Sequence, residues 1–145
     1  MLKQKGFTLI ELLVVLGIIA ILAAIVIIAV NPARQFALSR NSVRKANVNT
    51  ILNASWQYAV DNQGSLPANI TETPTEICKT GVTNCGGLID LSVLTEEAKY
   101  VVKIPEDPKG ASANGAGYFI QKLPNGRLKV TAPNAELDDM VEVIN

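Results

Sequence analysis

Glu11 is the residue whose chemistry most needs explaining. It stands at the head of a run from Leu12 to Val30 that holds no charge, in which only Gly17 interrupts Leu, Ile, Val and Ala. A carboxylate at the centre of a membrane helix costs about 2.5–3.5 kcal/mol and less near the interface, so an acid in this place calls for a counter-charge. Lys3 and Lys5 precede it in sequence. A Glu facing lipid headgroups is the plainer alternative.

Little else in the chain suggests reaction chemistry. There is no His, which removes the commonest general base, metal ligand and physiological pH switch together. No convergent catalytic set takes its place, so the expectation is a protein that is not an enzyme and carries no cofactor. Cys78 and Cys85 are separated by six residues, wider than a zinc knuckle and without a second ligand pair, so a disulfide is the better reading. Asp107 is available to calcium, but no cluster of carboxylates converges around it in sequence, and no metal site is expected. Asn53-Ala54-Ser55 and Asn69-Ile70-Thr71 fit the N-glycosylation triplet. Trp56 reads as packing rather than ligand contact.

The elements that must position these residues begin with the apolar run. At about 1.5 Å per residue it nearly spans a hydrocarbon core of ~30 Å, and Phe7 to Ile10 complete the span. A discarded secretory signal would end at small residues, and Ala20, Ala23 and Ala24 offer a weak match. The run continues through Ile25-Val26-Ile27-Ile28, which favours an anchor that is kept. Asn31 and Pro32 then break the helix, because Pro32 lacks the N–H that would bond the Ile28 carbonyl. Asn31 as cap and Pro32 at the first position also restart a helix well. From Ala33 to about Asn62 the pattern is amphipathic, with Phe36, Val43, Ile51, Ala54 and Tyr58 expected on the inner stripe. Arg40, Arg44, Asn49, Asn53 and Gln57 are expected mostly elsewhere.

Asn62 and Gly64 suit a left-handed helix end, and Pro67 prevents continuation. Residues 68 to 90 are rich in Thr, Asn and Gly and read as a loop clipped by the cysteines. A short helix is expected within Leu88 to Ala98. Tyr118 to Leu123 and Arg127 to Thr131 read as a hairpin whose Asn125-Gly126 supplies positive φ angles, and Val141 to Ile144 as a third strand. The expected fold is α+β: a long N-terminal helix, apolar and membrane-spanning in one half and amphipathic in the other, packed on a small antiparallel sheet.

Net charge is zero, but the distribution is uneven. Up to residue 60 the only acid is Glu11, set against Lys3, Lys5, Arg34, Arg40, Arg44 and Lys45. The remainder is acidic. Arg40, Arg44 and Lys45 suit a solvated or headgroup-facing surface, or pairing with acidic surfaces of adjacent subunits. A few cations without interleaved aromatics make a weak DNA contact, so nucleic acid is not the expected main partner.

Lys5-Gly6-Phe7-Thr8-Leu9-Ile10-Glu11-Leu12 resembles the prepilin processing motif of type IV pilins and type II secretion pseudopilins. Arg44 to Ile51 and Tyr58 to Pro67 are similar to the pilin pattern of a long helix ending near Asp-Asn-Gly. Ile104 to Pro108 with Gly117-Tyr118 also resemble a pseudopilin-like loop and strand. The resemblance implies the pilin fold, with a leader at 1–6, a transmembrane or filament-core helix at 7–30, an amphipathic helix at 31–63 and a globular domain at 64–145. It implies that a prepilin peptidase cuts between Gly6 and Phe7 and methylates Phe7, and that Glu11 pairs with the new amino group of a neighbouring subunit. The implied partners are further copies in a helical filament, an inner-membrane assembly platform, and cytoplasmic membrane lipid before assembly. A pilus subunit is the leading function; a secretion pseudopilin, or a minor pilin acting in adhesion or DNA uptake, is the alternative. Basic residues after the span oppose an external C-terminal domain by simple charge counting. A long translocated domain and an oxidised cysteine pair support it, placing the precursor in the cytoplasmic membrane and the filament outside.

Overall fold

The computed structural model describes residues 6–145, so Lys3, Lys5 and most of the leader expected at 1–6 lie outside the described residues. The chain forms two compact units, divided after Phe36.

The first unit is built on α1, Leu9–Val30. Thr8 caps it in extended conformation, and none of its residues is buried. It is long and apolar enough to cross a membrane. Asn31 ends it in the left-handed region with φ 45°, and α2, Pro32–Asp61, starts at the next residue. Asn31 serves the restart as well: its carbonyl accepts from the N–H groups of Arg34 and Gln35 at 3.1 and 3.3 Å. Its side-chain oxygen also accepts from Arg34 N–H, at 3.3 Å. A proline at the first helical position forgoes only an N–H that has no helical partner anyway.

The second unit, Ala37–Asn145, packs one face of α2 against a four-stranded antiparallel sheet. The strands are β1 Thr75–Cys78, β2 Gly115–Lys122, β3 Leu128–Ala132 and β4 Val141–Ile144, lying side by side in chain order. Their register sets Ile120 opposite both Thr75 and Val130, and Val130 opposite Val143. Val48, Ile51 and Leu52 of α2 meet Ile77, Tyr118, Ile120, Leu128, Val130 and Val141 in the core, with Leu91, Leu94 and Ile104 from the connecting segments. Alternate residues of β3 point inward, as period-two strand geometry requires.

The β2–β3 hairpin and β4 match the sequence reading. In the turn, however, only Gly126 takes positive φ, at 82°; Gly126 N–H bonds the Leu123 carbonyl and Leu123 N–H bonds that of Arg127. This is a tight turn followed by a left-handed glycine, a three-residue hairpin loop in which Asn125 needs no special conformation.

Other expectations need correction. The loop expected at 68–90 contains β1, whose end is bulged between Glu76 and Cys78 and joined to Ile89 by a parallel bridge at Ile77. The short helix expected within Leu88 to Ala98 is two single 3₁₀ turns, Ser92–Leu94 and Glu96–Ala98, because Glu97 and Ala98 take positive φ angles of 51° and 55° that no continuing helix accepts. At the end of α2 it is Gln63 and Gly64 that turn left-handed, not Asn62, and Gly64 N–H closes the helix on the Ala59 carbonyl at 2.7 Å.

The expected inner stripe of α2 is only half right. Ile51 and Ala54 are buried, but Phe36 and Val43 are 64% and 44% exposed while Arg44 is fully buried. The buried face runs Ala37, Asn41, Arg44, Val48, Ile51, Leu52, Ala54, Ser55, Ala59. Its spacing is helical, but its polar members hide it from a hydropathy pattern.

Candidate functional site

The sequence-derived site is the entry of α1. Gly6 and Phe7 are exposed ahead of the helix, with open space around Gly6. Thr8 and Glu11 form a reciprocal capping box. The Thr8 N–H and hydroxyl both donate to Glu11 Oε2, at 2.8 and 2.7 Å, and Glu11 N–H donates to Thr8 Oγ1 at 3.3 Å. The acid therefore answers orphan donors at the helix start and sits at the positive end of the helix dipole. Sequence reading weighed a cation or lipid headgroups as its partner and missed this role, although Thr8-x-x-Glu11 ahead of an apolar run is its signature. Glu11 Oε1 has no partner among the described residues.

A second cluster is built on α2 within the other unit. Arg44 spends its guanidinium on four acceptors from three residues: Nε and Nη2 reach the two oxygens of Asp107 at 2.7 and 3.1 Å, while Nη1 donates to Asn41 Oδ1 at 2.9 Å and Glu136 Oε2 at 3.0 Å. The Arg44 and Asp107 side chains are both fully buried. Asp107 Oδ1 also accepts from the N–H groups of Lys109 and Gly110 at 2.9 and 2.6 Å. Gly117 leaves room for that loop, since a Cβ there would lie 2.7 Å from Asp107 Cβ.

One turn earlier, Arg40 clasps Glu136 with two bonds of 2.6 and 2.8 Å. Asn41 donates to the Glu136 carbonyl at 2.7 Å and accepts from its N–H at 3.0 Å. Lys45 reaches Asp139 at 2.8 Å. Planar guanidinium groups suit such two-pronged contacts, and a buried pair tolerates its desolvation only when its donors and acceptors are met in this way.

The electrostatics follow from these contacts. Burial pushes the Asp107 carboxyl up, but Arg44 and the Lys109 and Gly110 N–H groups outweigh it and leave it below its ordinary value. Arg40, then Arg44, hold Glu136 far below the usual carboxylate range, and Lys45 lowers Asp139. The cations expected to face solvent, lipid or an adjacent subunit are instead paired within their own domain. Asp107, weighed as a calcium ligand, is occupied by Arg44. Among the described residues no group of three His, Cys, Asp or Glu is placed to hold a metal.

Cys78 and Cys85 are joined as a disulfide, with Cα atoms 5.6 Å apart. The two glycosylation triplets differ. Ser55 is fully buried and donates to the Ile51 carbonyl within α2, whereas Asn69 and Thr71 lie on an exposed loop.

The model of the prokaryotic N-terminal methylation motif matches residues 1–27, which include Gly6, Phe7, Thr8 and Glu11. The type IV wide pilus major component PilA4 of Thermus thermophilus is 39% identical over 83 residues, covering 48% of this chain. The chain thus carries the N-terminal methylation motif and is similar over part of its length to a type IV pilus component. The match spans 62% of the relative's length, less than two thirds of it. No solved structure matches the chain. The apolar α1, the four-stranded antiparallel sheet and the disulfide agree with the resemblance read from sequence.

Proposed function

We propose that the chain is the structural subunit of a type IV pilus-like filament. It is made as a membrane-anchored precursor with a leader at 1–6, cut between Gly6 and Phe7, methylated on Phe7 and assembled through α1. The observation that carries this reading is a 22-residue apolar helix with no buried residue, whose single carboxylate stands in a matched methylation motif. Such a surface is stable only against lipid or other apolar helices. Exchange of lipid for helix contacts lets subunits leave the membrane at modest net cost.

Cleavage would create a cation at Phe7, one residue before the cap that holds Glu11. With Oε2 engaged by Thr8, Oε1 remains to receive the amino group of a neighbouring subunit. Two groups unfavourable in an apolar medium thereby compensate one another and set the register of docking. The disulfide supports a globular domain in an oxidising compartment, outside the cytoplasmic membrane. The relative's description as a pilus major component favours a pilus over a secretion pseudopilus. A peptidase and an inner-membrane assembly platform are the partners this route requires.

Mass spectrometry of the mature N-terminus from sheared surface filaments tests the proposal. A chain beginning at methylated Phe7 is the expected result. An intact N-terminus on the filament, or cleavage among Ala20, Ala23 and Ala24, would overturn it.

A further inference from the structure

Among the described residues, the indole N–H of Trp56 is the only buried side-chain polar atom without a hydrogen-bond partner. Native folds rarely leave such a donor unmet, and each case asks for an explanation. Trp56 lines an open recess of about 430 Å³ within the globular unit, beside Asn53, Gln57, Asp61, Lys99 and Tyr100. Asn53 and Gln57 are exposed and lie one turn apart on α2, so their amides face out along one edge. Tyr100 packs edge to face on Tyr58, 5.7 Å between ring centres, and its hydroxyl donates to Asp61 at 3.0 Å. The combination is an aromatic floor, two amides that both donate and accept, and one unanswered donor.

We propose that this recess binds a neutral saccharide. A sugar ring presents flat C–H faces to aromatic side chains and hydroxyl oxygens to amides and to an indole N–H, and a concave site with few convergent polar groups is the form such recognition takes. The charges argue for neutrality. Asp61 and Lys99 cancel each other in a 2.7 Å pair, and the adjoining recess, which shares Lys99 and Tyr100, adds Glu96 and Glu97, which disfavour anions. A peptide fits less well, since the walls are side chains and offer no strand edge to pair with.

Lys99 lies over the Tyr100 ring at 4.8 Å. Its pair with Asp61 is exposed on both sides, at 59% and 44%, and adds little to stability. Lys99 can therefore shift off the ring at small cost, giving a sugar the Tyr100 face while both charges stay in the recess.

The chain contains one Trp, so its fluorescence reports on this recess alone. The full chain, held in a zwitterionic detergent without sugar headgroups, is titrated with neutral oligosaccharides of glucose, mannose and N-acetylglucosamine, and with heparin fragments as the anionic counterpart. A saturable change with at least one neutral sugar and none with heparin is expected. Asn53→Ala and Gln57→Ala should each weaken binding about fivefold, the order expected for a lost hydrogen bond. Trp56→Phe, followed by calorimetry, should do the same while keeping the ring. Silence across the neutral panel, an equal response to heparin, or unchanged affinity in all three variants would overturn the proposal.

Discussion

Helix α1 and the second half of the chain meet the same physical demand in opposite ways. The domain from Ala37 onward covers most of its own apolar side chains and pairs its own buried charges: Ile51 and Tyr118 are essentially inaccessible, and Arg44 has four hydrogen bonds. In α1, by contrast, every Leu, Ile and Val remains open, and Glu11 is half answered, with one carboxylate oxygen capped and the other free among the described residues. One region is complete as a folded domain; the other is complete only in the company of lipid or of further helices. Substitutions in the two regions should therefore fail in different assays.

The sharpest separation comes from Glu11→Ala. It should insert in the membrane and leave the unfolding midpoint of the globular domain unchanged while abolishing most filament yield, measured by shearing and immunoblot. Wild-type filament yield would break the comparison at its base. Arg44→Ala should do the reverse. Removing one partner of a buried pair costs about 3–5 kcal/mol, so denaturant unfolding of the full chain in detergent should show a loss of that order. Arg40→Ala, at a partly exposed pair, should cost about 1 kcal/mol or less. Equal losses for the two arginines would show that Asp107 is not held in a closed environment.

Acid tests the same cluster without a substitution. Asp107, Glu136 and Asp139 all have lowered values in the fold. The stability they contribute is therefore fully present above the ordinary carboxylate range and is lost as pH falls through their depressed folded values. A stability profile flat near neutrality and falling only in acid is expected from pH-dependent denaturation, and a decline already between pH 8 and 6 would count against it. Reduction of Cys78–Cys85 should have an intermediate effect, below Arg44→Ala and above Arg40→Ala. Closing so short a ring is worth about 2–3 kcal/mol in the chain-entropy model; thermal melts with and without reductant measure it.

What could be read in advance was what local chemistry dictates. The uncharged run after Glu11, the break at Asn31-Pro32, the strands around Gly126 and the pairing of two isolated cysteines each follow from a few adjacent residues. What stayed hidden depends on distant partners. Arg44 faces inward only because Asp107 and Glu136, 63 and 92 residues away, come to meet it. A pattern that sorts charge outward therefore placed Phe36 and Val43 in its stead. Strand β1 escaped for another reason: Thr75-Glu76-Ile77-Cys78 is too short for alternation to register, and its pairing with β2 and Ile89 is long-range. The Thr8 cap, by contrast, is local, since the Thr8-x-x-Glu11 spacing alone brings the two side chains together.

The cluster on α2 also has a mechanical consequence. Arg40, Arg44 and Lys45 occupy a stretch of helix rising about 7.5 Å, and they grip two separate loops, one at Asp107 and one running from Glu136 to Asp139. A tug along the α2 axis is resisted in shear by both loops at once rather than peeled away one bond at a time. Apolar contacts let go over a fraction of an ångström, whereas ionic attraction fades slowly with separation. A helix that slips slightly under tension is thus drawn back into place.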